Sequence, residues 1–393
     1  MKILQIIPTY KPAFGYGGTI TSISLLCENL VKFGGCQVTV AATNANVKKD
    51  LPVHSRTPVL VEGVHVYYFR RWTPDHSQLS PPLLLWLWRN VKKYDAVHIH
   101  SWWNLTVIFS TVVCILRGVK PVHAPRGMLS PFSIKGRFKP VFQRFIGNKL
   151  LKNVFLHATS EQECTECLKL IPHWQSENIP NFLTIPTIKT VKSAPHSENF
   201  RLLFLSRIHE KKGLELLFEA LSKVQFQWSL SIAGDGEEAY IQQLKKLSED
   251  LKIDSKINWL GWVNADERLS IFQAADLMVL PSHNENFANV VIESLAVGTA
   301  VLVSQYVGLV DYVVGKNMGW VCDTTVESLL EKLNEAHIQI EKRIEIASRS
   351  GEQIRIDFDP SVLVRRYLKM YQKVKNEQFT TYHAPCSDVQ RVS

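Results

Sequence analysis

Short apolar runs alternate with helix-like polar stretches along the chain and predict buried strands separated by amphipathic helices. Residues 3–7 form the first run, before a glycine-rich turn, an amphipathic stretch from Thr19 to Val31 and a second apolar run at 36–42. Strands that alternate with helices in this way pair in parallel and carry helices on their faces. Further runs extend the predicted sheet at residues 96–100, at residues 154–158 and before Val122.

The alternation pauses at a proline-punctuated segment, residues 179–195, which is typical of a linker. It then restarts at Phe200 and continues to a strand at 275–280 and a helix at 290–297. We therefore predict an α/β protein with two Rossmann-like doubly wound domains that face each other across a cleft. The predicted segments are a first domain at 1–185, a linker at 186–199, a second domain at 200–360, a terminal helix at 361–376 and a mobile tail at 377–393.

Composition agrees with a soluble globular protein of two domains, since the chain has 393 residues of which 46% are hydrophobic. The apolar run at residues 3–7 is too short for a secretory segment or a membrane span. Seven scattered cysteines give no disulfide framework. We expect a cytoplasmic protein, either free or peripheral at the inner face of the membrane.

The net charge of +9 is distributed unevenly. Residues 1–195 carry 23 Lys and Arg against 9 Asp and Glu, whereas residues 196–393 carry 22 against 27. A basic half attracts nucleic acid, an anionic membrane or a polyanionic substrate, and no recognised nucleic-acid module accompanies it. Residues 135–152 combine basic and apolar side chains at helical spacing, which fits either a helix on a membrane surface or a packed helix with a solvated basic face.

The segment Pro281–Glu293 says most about chemistry. It predicts a strand, a polar loop with Glu285 and a helix with Glu293 about one turn inside it. The unpaired amides at the start of that helix can bind an anion or sugar hydroxyls, and a carboxylate there can accept hydrogen bonds from a ribose. The loop between the two carboxylates contributes Asn286, Phe287 and Ala288 as further candidate donor-binding residues.

This segment resembles the retaining glycosyltransferases of the GT-B fold, family four, whose signature is a Glu, seven residues and a second Glu. The flanking Pro281-Ser282 and Ala296-Val297-Gly298 strengthen the resemblance. It implies that Glu285 contacts the donor sugar and that Glu293 holds the nucleotide ribose. It also implies a terminal helix, residues 358–371, that crosses back to the first domain.

Two basic residues, Arg207 and Lys212, precede this segment and lie near the end of a predicted strand. The family similarly has an Arg and a Lys five residues apart, followed by Gly, and the resemblance implies that both stabilise the departing diphosphate. We expect a UDP- or GDP-linked donor, no further cofactor and no metal. The string Asp357-Phe358-Asp359 could hold a metal, but Asp359 is better placed to cap the following helix.

Candidate residues of the first domain divide between donor and acceptor. Gly17 and Gly18 would let the backbone approach phosphates closely, although the full G-x-G-x-x-G spacing is absent. The resemblance implies an acceptor-side histidine where this chain has Arg126, while His123 stands three residues earlier. Arg126 would bind an anionic acceptor or phosphate, and His123 would be acceptor-side or buried in its strand.

His100 is a further acceptor-side candidate, and it shares a strand face with His98. The resemblance implies a retaining glycosyltransferase, and the basic first domain suggests a lipid-linked or glycan acceptor, as in bacterial surface polysaccharide or glycolipid assembly. The alternatives are a nucleotide-sugar epimerase or hydrolase on the same fold and a non-catalytic sugar-binding relative.

Overall fold

The computed structural model describes residues 1–46, 49–185 and 199–382. The chain divides into two compact units. The first unit contains residues 1–159, 163–182 and the described residues from Pro360 on, and the second unit contains 160–162 and 183–359. Residues 186–198 of the predicted linker and residues 383–393 of the predicted tail lie outside the described residues, and the predicted domain bounds stay predictions.

The first unit is built on a sheet of eight strands in the order β3-β4-β2-β1-β5-β6-β7-β8. All neighbours pair in parallel except β3 and β4, which are antiparallel. The central strands are nearly continuous apolar runs because helices cover both faces of a parallel sheet. The strands are β1 Lys2–Ile7, β2 Gln37–Thr43, β3 His54–Val61, β4 Val64–Phe69, β5 Ala96–His100, β6 Val122–Ala124, β7 Phe155–Ala158 and β8 Ser176–Asn178.

The helices of the first half flank this sheet, and a short π-helix, Gln143–Gly147, interrupts one of them. They are α1 Gly18–Lys32, α2 Pro81–Asn90, α3 Leu105–Leu116, α4 Phe138–Phe142, α5 Asn148–Leu151 and α6 Glu161–Leu170. In the described part of the chain, no helix combines the length and the apolar content that crossing a bilayer requires.

The second unit has a six-stranded, wholly parallel sheet in the order β11-β10-β9-β12-β13-β14. Its strands are β9 Phe200–Leu205, β10 Trp228–Ala233, β11 Ile257–Gly261, β12 Leu277–Leu280, β13 Ala300–Ser304 and β14 Gly319–Cys322. Its helices are α7 Leu214–Leu221, α8 Glu238–Asp250, α9 Ala265–Ala274, α10 Asn289–Ala296, α11 Val310–Gly315, α12 Val326–Ile338 and α13 Ile340–Asp357. The prediction of two parallel-sheet α/β domains is thus confirmed.

The terminal helix α14, Pro360–Tyr382, belongs to the first unit. Its buried side chains, among them Tyr367 and Tyr371, join the core formed by β1, β2 and α1. The helix continues six residues beyond the predicted end at residue 376, because residues 361–382 contain neither glycine nor proline.

Candidate active site

Loops that follow β9, β10, β12 and β13 meet at the carboxyl edge of the second sheet, where open α/β sheets bind ligands. Backbone hydrogen bonds join them. The His283 N–H donates to Lys211 O at 2.8 Å, the Glu285 N–H donates to Tyr306 O at 3.0 Å, and the Gly308 N–H donates to Glu285 O at 2.8 Å. Glu285 therefore lies on a loop fixed from both sides by its neighbours.

Glycines allow these loops to approach so closely. A Cβ atom on Gly234 would lie 1.8 Å from the carbonyl oxygen of Ser206, and one on Gly308 would lie 1.8 Å from that of Asn286. Gly234 also has φ of 145°, a backbone conformation that other residues rarely adopt. These glycines are thus required by geometry at the edge that holds the candidate residues.

Lys212 and Glu285 form an ion pair at this edge. The short 3-10 helix Glu210–Lys212 places the Lys212 side chain, which is 9% exposed, against the loop that carries Glu285. Arg207, four residues before Lys211, is exposed. The predicted residues Arg207, Lys212 and Glu285 therefore lie at one edge of one sheet.

Lys211 adds a third positive charge that the sequence-based assignment omitted. Burial lowers the pKa of Lys211, as do the charges of Lys212 and Arg207, while the Glu285 carboxylate raises it. Lys211 thus interacts with two other cations and with the Glu285 carboxylate. Such a cluster has an excess of positive charge, which a diphosphate would neutralise.

Glu293 lies in the second turn of α10 and forms an ion pair with Arg268 of α9. Arg268 Nη1 lies 3.2 Å from Glu293 Oε2. Burial raises the pKa of Glu293, and Arg268 acts in the opposite direction. Arg268 was not predicted, since it stands 25 residues before its partner in a helix of little amphipathic pattern. Arg268 holds the carboxylate that was assigned to the ribose.

The loop before α10 is conformationally unusual. Ala288 caps the helix with φ of 66° and ψ of 70°, a left-handed conformation that costs a non-glycine residue of the order of 1 kcal/mol. Phe287 is buried and packs edge-on against Phe358, with ring centroids 6.4 Å apart, whereas Asn286 is only half-buried. Backbone strain of this kind is concentrated at ligand-binding sites.

At the first unit's glycine turn, Gly17 precedes α1 with φ of 97° and ψ of −169°, which is essentially a glycine-only conformation. Gly18 is the first residue of the helix. The turn thus exposes backbone without a side chain, as predicted, and the role assigned to it in donor binding stays a prediction.

The structure separates the acceptor-side candidates. His100 is fully buried in β5, and Arg126 follows β6 with one of its Nη atoms 3.4 Å from His100 Nδ1. His123 pairs with Ile99 and therefore lies on the opposite face of the sheet from His100, where it packs edge-on against Trp102. His123 is thus a core residue in β6, the second of the two placements that the sequence left open.

The Asp357 carboxylate already has partners. It accepts a hydrogen bond from Tyr312 Oη at 2.9 Å and lies 3.1 Å from Lys316 Nζ. Among the residues that the structure describes, no three His, Cys, Asp or Glu side chains are grouped so as to hold a metal ion.

Two parallel-sheet α/β units, with a cluster of cations at the carboxyl edge of the second, have the architecture of the GT-B fold. Two family models match the chain: "Glycosyltransferase Family 4" over residues 16–182 and "Glycosyl transferases group 1" over residues 187–352. The chain belongs to glycosyltransferase family 4, and it is a glycosyltransferase enzyme.

Solved structures of the same fold include sucrose-phosphate synthase from Thermosynechococcus elongatus, with a TM-score of 0.74 and 17% identity over 96% of this chain and 99% of that one. Anabaena HepE, in complex with UDP and glucose, has a TM-score of 0.72 and 18% identity over 95% of this chain and all of that one. At this level of identity the likeness shows the fold alone.

Among curated relatives, an uncharacterized glycosyltransferase of Methanocaldococcus jannaschii is 26% identical over 84% of this chain and 87% of that protein. The D-inositol 3-phosphate glycosyltransferase of Pseudarthrobacter chlorophenolicus is 26% identical over 55% of this chain. A lipopolysaccharide core biosynthesis glycosyltransferase of Rhizobium meliloti is 27% identical over 43% of it. The chain spans 56% and 48% of the length of these last two relatives.

Proposed function

We propose that the protein is a retaining glycosyltransferase that moves a sugar from a UDP- or GDP-linked donor to an acceptor hydroxyl. The observation that carries this proposal is the joint placement of Arg207, Lys212 and Glu285 at one sheet edge, with Lys212 paired to Glu285. The cations would neutralise the diphosphate, Glu285 would orient the donor sugar, and Glu293 would bind the ribose hydroxyls.

Retention follows from the chemistry that the proposal assigns to the leaving group. The acceptor oxygen attacks the anomeric carbon from the face that the phosphate leaves, and the departing phosphate oxygen takes the hydroxyl proton. Lys212 and Arg207 assist because they stabilise the negative charge that develops as the bond from the anomeric carbon to the phosphate oxygen breaks.

The relatives support a donor and an acceptor class. One solved neighbour, Anabaena HepE, was crystallised with UDP and glucose and also with UDP-glucose. One curated relative is named for lipopolysaccharide core biosynthesis. We therefore extend the proposal to assembly of a bacterial surface polysaccharide or glycolipid, with the glycan or lipid-linked acceptor bound by the first unit.

Calorimetry tests the donor assignment. UDP, GDP, ADP and CMP are titrated into the full chain, first without metal and then with magnesium. We expect selective binding of UDP or GDP without a metal ion, because Arg207, Lys211 and Lys212 would neutralise the phosphates. No binding of any nucleotide would overturn the proposal, and product formed from the sugar nucleotide without an acceptor would favour the epimerase or hydrolase alternative.

A surface of the first unit favours contact with an anionic membrane. Four large apolar side chains of the segment 138–146 are exposed, and Phe138 is the most exposed of them at 88%: Phe138, Val141, Phe145 and Ile146. Four exposed basic residues accompany them: Lys135, Arg137, Lys139 and Arg144. We name these eight residues the basic-apolar patch. Apolar side chains that enter the lipid interface beside cations are typical of peripheral membrane binding.

Vesicle sedimentation tests this assignment. The protein is mixed with phosphatidylcholine vesicles that either contain or lack phosphatidylglycerol. Replacing Lys135, Arg137, Lys139 and Arg144 by Gln should abolish the preference for anionic vesicles, and Phe138→Ser should weaken binding to both. The matched control replaces four exposed lysines of the second unit by Gln: Lys223, Lys246, Lys252 and Lys256. Equal loss in the control would refute a specific patch.

A further inference from the structure

A continuous chain of buried side chains runs through the first unit and ends on Arg126. His157 Nδ1 lies 3.2 Å from His98 Nε2, and His98 Nδ1 lies 2.9 Å from Tyr371 Oη. Gln5 Nε2 donates to Tyr371 Oη at 3.2 Å, and Gln5 Oε1 lies 2.7 Å from His100 Nε2. We call His157, His98, Tyr371, Gln5 and His100 the histidine–tyrosine chain.

The two ends of this chain determine where its protons lie. His157 Nε2 lies 2.9 Å from the carbonyl oxygen of Ile179 and 3.1 Å from Tyr367 Oη. Because the carbonyl can only accept and the hydroxyl can also accept, Nε2 carries the proton and Nδ1 accepts. His98 therefore donates from Nε2 and accepts at Nδ1 from Tyr371. The Gln5 carbonyl then accepts from His100 Nε2, which leaves the lone pair of His100 Nδ1 for Arg126.

Every histidine of the histidine–tyrosine chain is consequently neutral. All three are fully buried, and burial holds the pKa of His98 and of His100 well below the usual range, while it lowers that of His157 to about 3. The pKa directions agree with the hydrogen-bond geometry, in which each ring has one donating and one accepting nitrogen. Arg126 is therefore the cation on which this neutral network ends.

The guanidinium of Arg126 is held by neutral acceptors only. One Nη donates to Asn181 Oδ1 and the other lies 3.4 Å from His100 Nδ1, while Nε is buried and has no hydrogen-bond partner in the described residues. No carboxylate of the described residues forms an ion pair with it. Its position is defined, but its charge is not cancelled.

The backbone at Arg126 is also held in an uncommon conformation. Arg126 has φ of 57° and Gly127 has φ of 77°. The Gly127 N–H donates to Glu163 Oε1 at 2.6 Å, and the other carboxylate oxygen of Glu163 accepts from the backbone and the hydroxyl of Thr159. The fold therefore maintains strain of the order of 1 kcal/mol at the carboxyl edge of the first sheet, where ligands bind.

We propose that Arg126 binds a phosphate or carboxylate group of the acceptor and that the histidine–tyrosine chain positions it. This inference rests on the proposed function, which places the acceptor on the first unit. The second unit supplies its own cations for the donor diphosphate, namely Arg207, Lys211 and Lys212, so Arg126 remains for an anion of the other substrate. A guanidinium bound to neutral acceptors retains its full attraction for such an anion.

Calorimetry with simple probes tests the anion site. Glucose, glucose 6-phosphate and inorganic phosphate are titrated into the full chain saturated with the nucleotide that it binds. Both phosphates should bind, and glucose should not. Arg126→Gln should weaken binding of glucose 6-phosphate at least about tenfold and Arg126→Lys less, because Lys retains the charge without the fork of donors. Arg89→Gln, an exposed arginine of the same unit, is the control and should change nothing.

The results separate this inference from the proposed function. Nucleotide affinity is measured on the same variants, and Arg126→Gln should leave it unchanged. If phosphate binds only in the absence of nucleotide, the anion belongs to the donor and the inference is overturned. It is also overturned if wild-type protein binds neither phosphate, or if Arg126→Gln binds glucose 6-phosphate as well as wild type does. Absent nucleotide binding would instead contradict the proposed function.

Tyr371→Phe tests the positioning role. The variant removes the hydroxyl that joins His98 to Gln5, so the proton order that presents the lone pair of His100 to Arg126 is lost. Affinity for glucose 6-phosphate should fall about three- to tenfold at unchanged nucleotide affinity. Tyr68→Phe, another buried tyrosine of this unit, is the control for stability. Unchanged phosphate affinity in Tyr371→Phe would refute the positioning role.

Discussion

The carboxyl edges of the two sheets differ in the groups that contact their cations. In the second unit, cations and carboxylates lie side by side, with Lys212 paired to Glu285 and Arg268 paired to Glu293. In the first unit, the groups that hold Arg126 are neutral, and its guanidinium has no carboxylate partner among the described residues. The same sheet architecture thus supports two kinds of polar site.

The two edges therefore differ in whether a bound anion must displace a carboxylate that is already paired. A Lys212–Glu285 pair can separate when a diphosphate replaces the carboxylate, because the phosphate oxygens supply the same charge and the carboxylate is released to accept sugar hydroxyls. The first edge has no carboxylate paired to Arg126 among the described residues. Its cation is oriented in advance by neutral groups, and its attraction for an anion is therefore not reduced by an existing pair.

The largest effect is expected from Lys212→Gln. The substitution removes the buried cation that would stabilise the leaving diphosphate, and we expect transfer to fall about 10²- to 10³-fold. Steady-state transfer and calorimetric nucleotide binding should both decrease. Lys223→Gln, which changes an exposed lysine of the same unit, serves as the control. Transfer at the wild-type rate would remove Lys212 from the proposed mechanism.

Glu285→Gln should lower transfer about 10- to 100-fold, since the amide replaces a charged acceptor of sugar hydroxyls. Nucleotide affinity should remain unchanged or rise, because Lys212 is then free of its carboxylate partner. Rates with the intact sugar nucleotide are compared with calorimetric binding of the nucleotide alone. If the nucleotide affinity fell as much as the rate, Glu285 would have no specific role toward the sugar.

Glu293→Gln should weaken nucleotide binding about fivefold, because a neutral amide accepts weaker hydrogen bonds from the ribose than a carboxylate does. The corresponding 2′-deoxynucleotide should bind wild-type protein less tightly, and the variant should discriminate less between the two nucleotides. Calorimetry with both nucleotides measures the ratio. An unchanged ratio in the variant would show that Glu293 does not contact the ribose 2′-hydroxyl.

The smallest effect concerns pH and the core of the first unit. Burial lowers the pKa of His123 to about 3, so below the ordinary histidine pKa of about 6.5 only the unfolded chain takes up this proton. The free energy of unfolding therefore decreases as the pH falls from about 6.5 toward 3. Each such histidine contributes at most about 1.4 kcal/mol per pH unit to this decrease.

The variant His123→Phe should lower the slope of unfolding free energy against pH by the contribution of one histidine. The variant His65→Phe, at an exposed position of β4, should not lower it. Hydrogen–deuterium exchange of first-unit peptides between about pH 5 and pH 6.5, corrected for intrinsic rates, measures the slope. An identical slope in both variants would contradict the assignment of His123 as buried and neutral.

In the second unit the sequence predicted strands β9 to β12, which surround the candidate site, but not β13 and β14. Strands β9, β10 and β12 are dominated by apolar residues, the motif residues Arg207, Lys212 and Glu285 follow strand ends, and Glu293 lies in the next helix. The hairpin of β3 and β4 was not predicted, because most side chains of β3 are at least partly exposed and show no alternation. Strands at a sheet edge lack the two-sided burial that makes central strands recognisable.

The remaining omissions concern partners that are distant in sequence. Arg268 stands 25 residues before Glu293, and Tyr371 stands 273 residues after His98. Periodicity and local motifs report only on neighbours within a few residues, so neither contact has a signal in a single sequence. The same limit explains why Arg126 could be recognised as a departure from the family pattern while its neutral surroundings could not be predicted.

The terminal helix α14 has a consequence for how the protein is made. Its side chains Leu363, Tyr367, Met370 and Tyr371 complete the core of the first unit, although the whole second unit is encoded before them. Domains commonly fold in order of synthesis, the earliest first. Here the ribosome must synthesise the whole second unit before the first unit has all the parts of its core, and a fragment ended at residue 185 would expose an unfilled apolar groove.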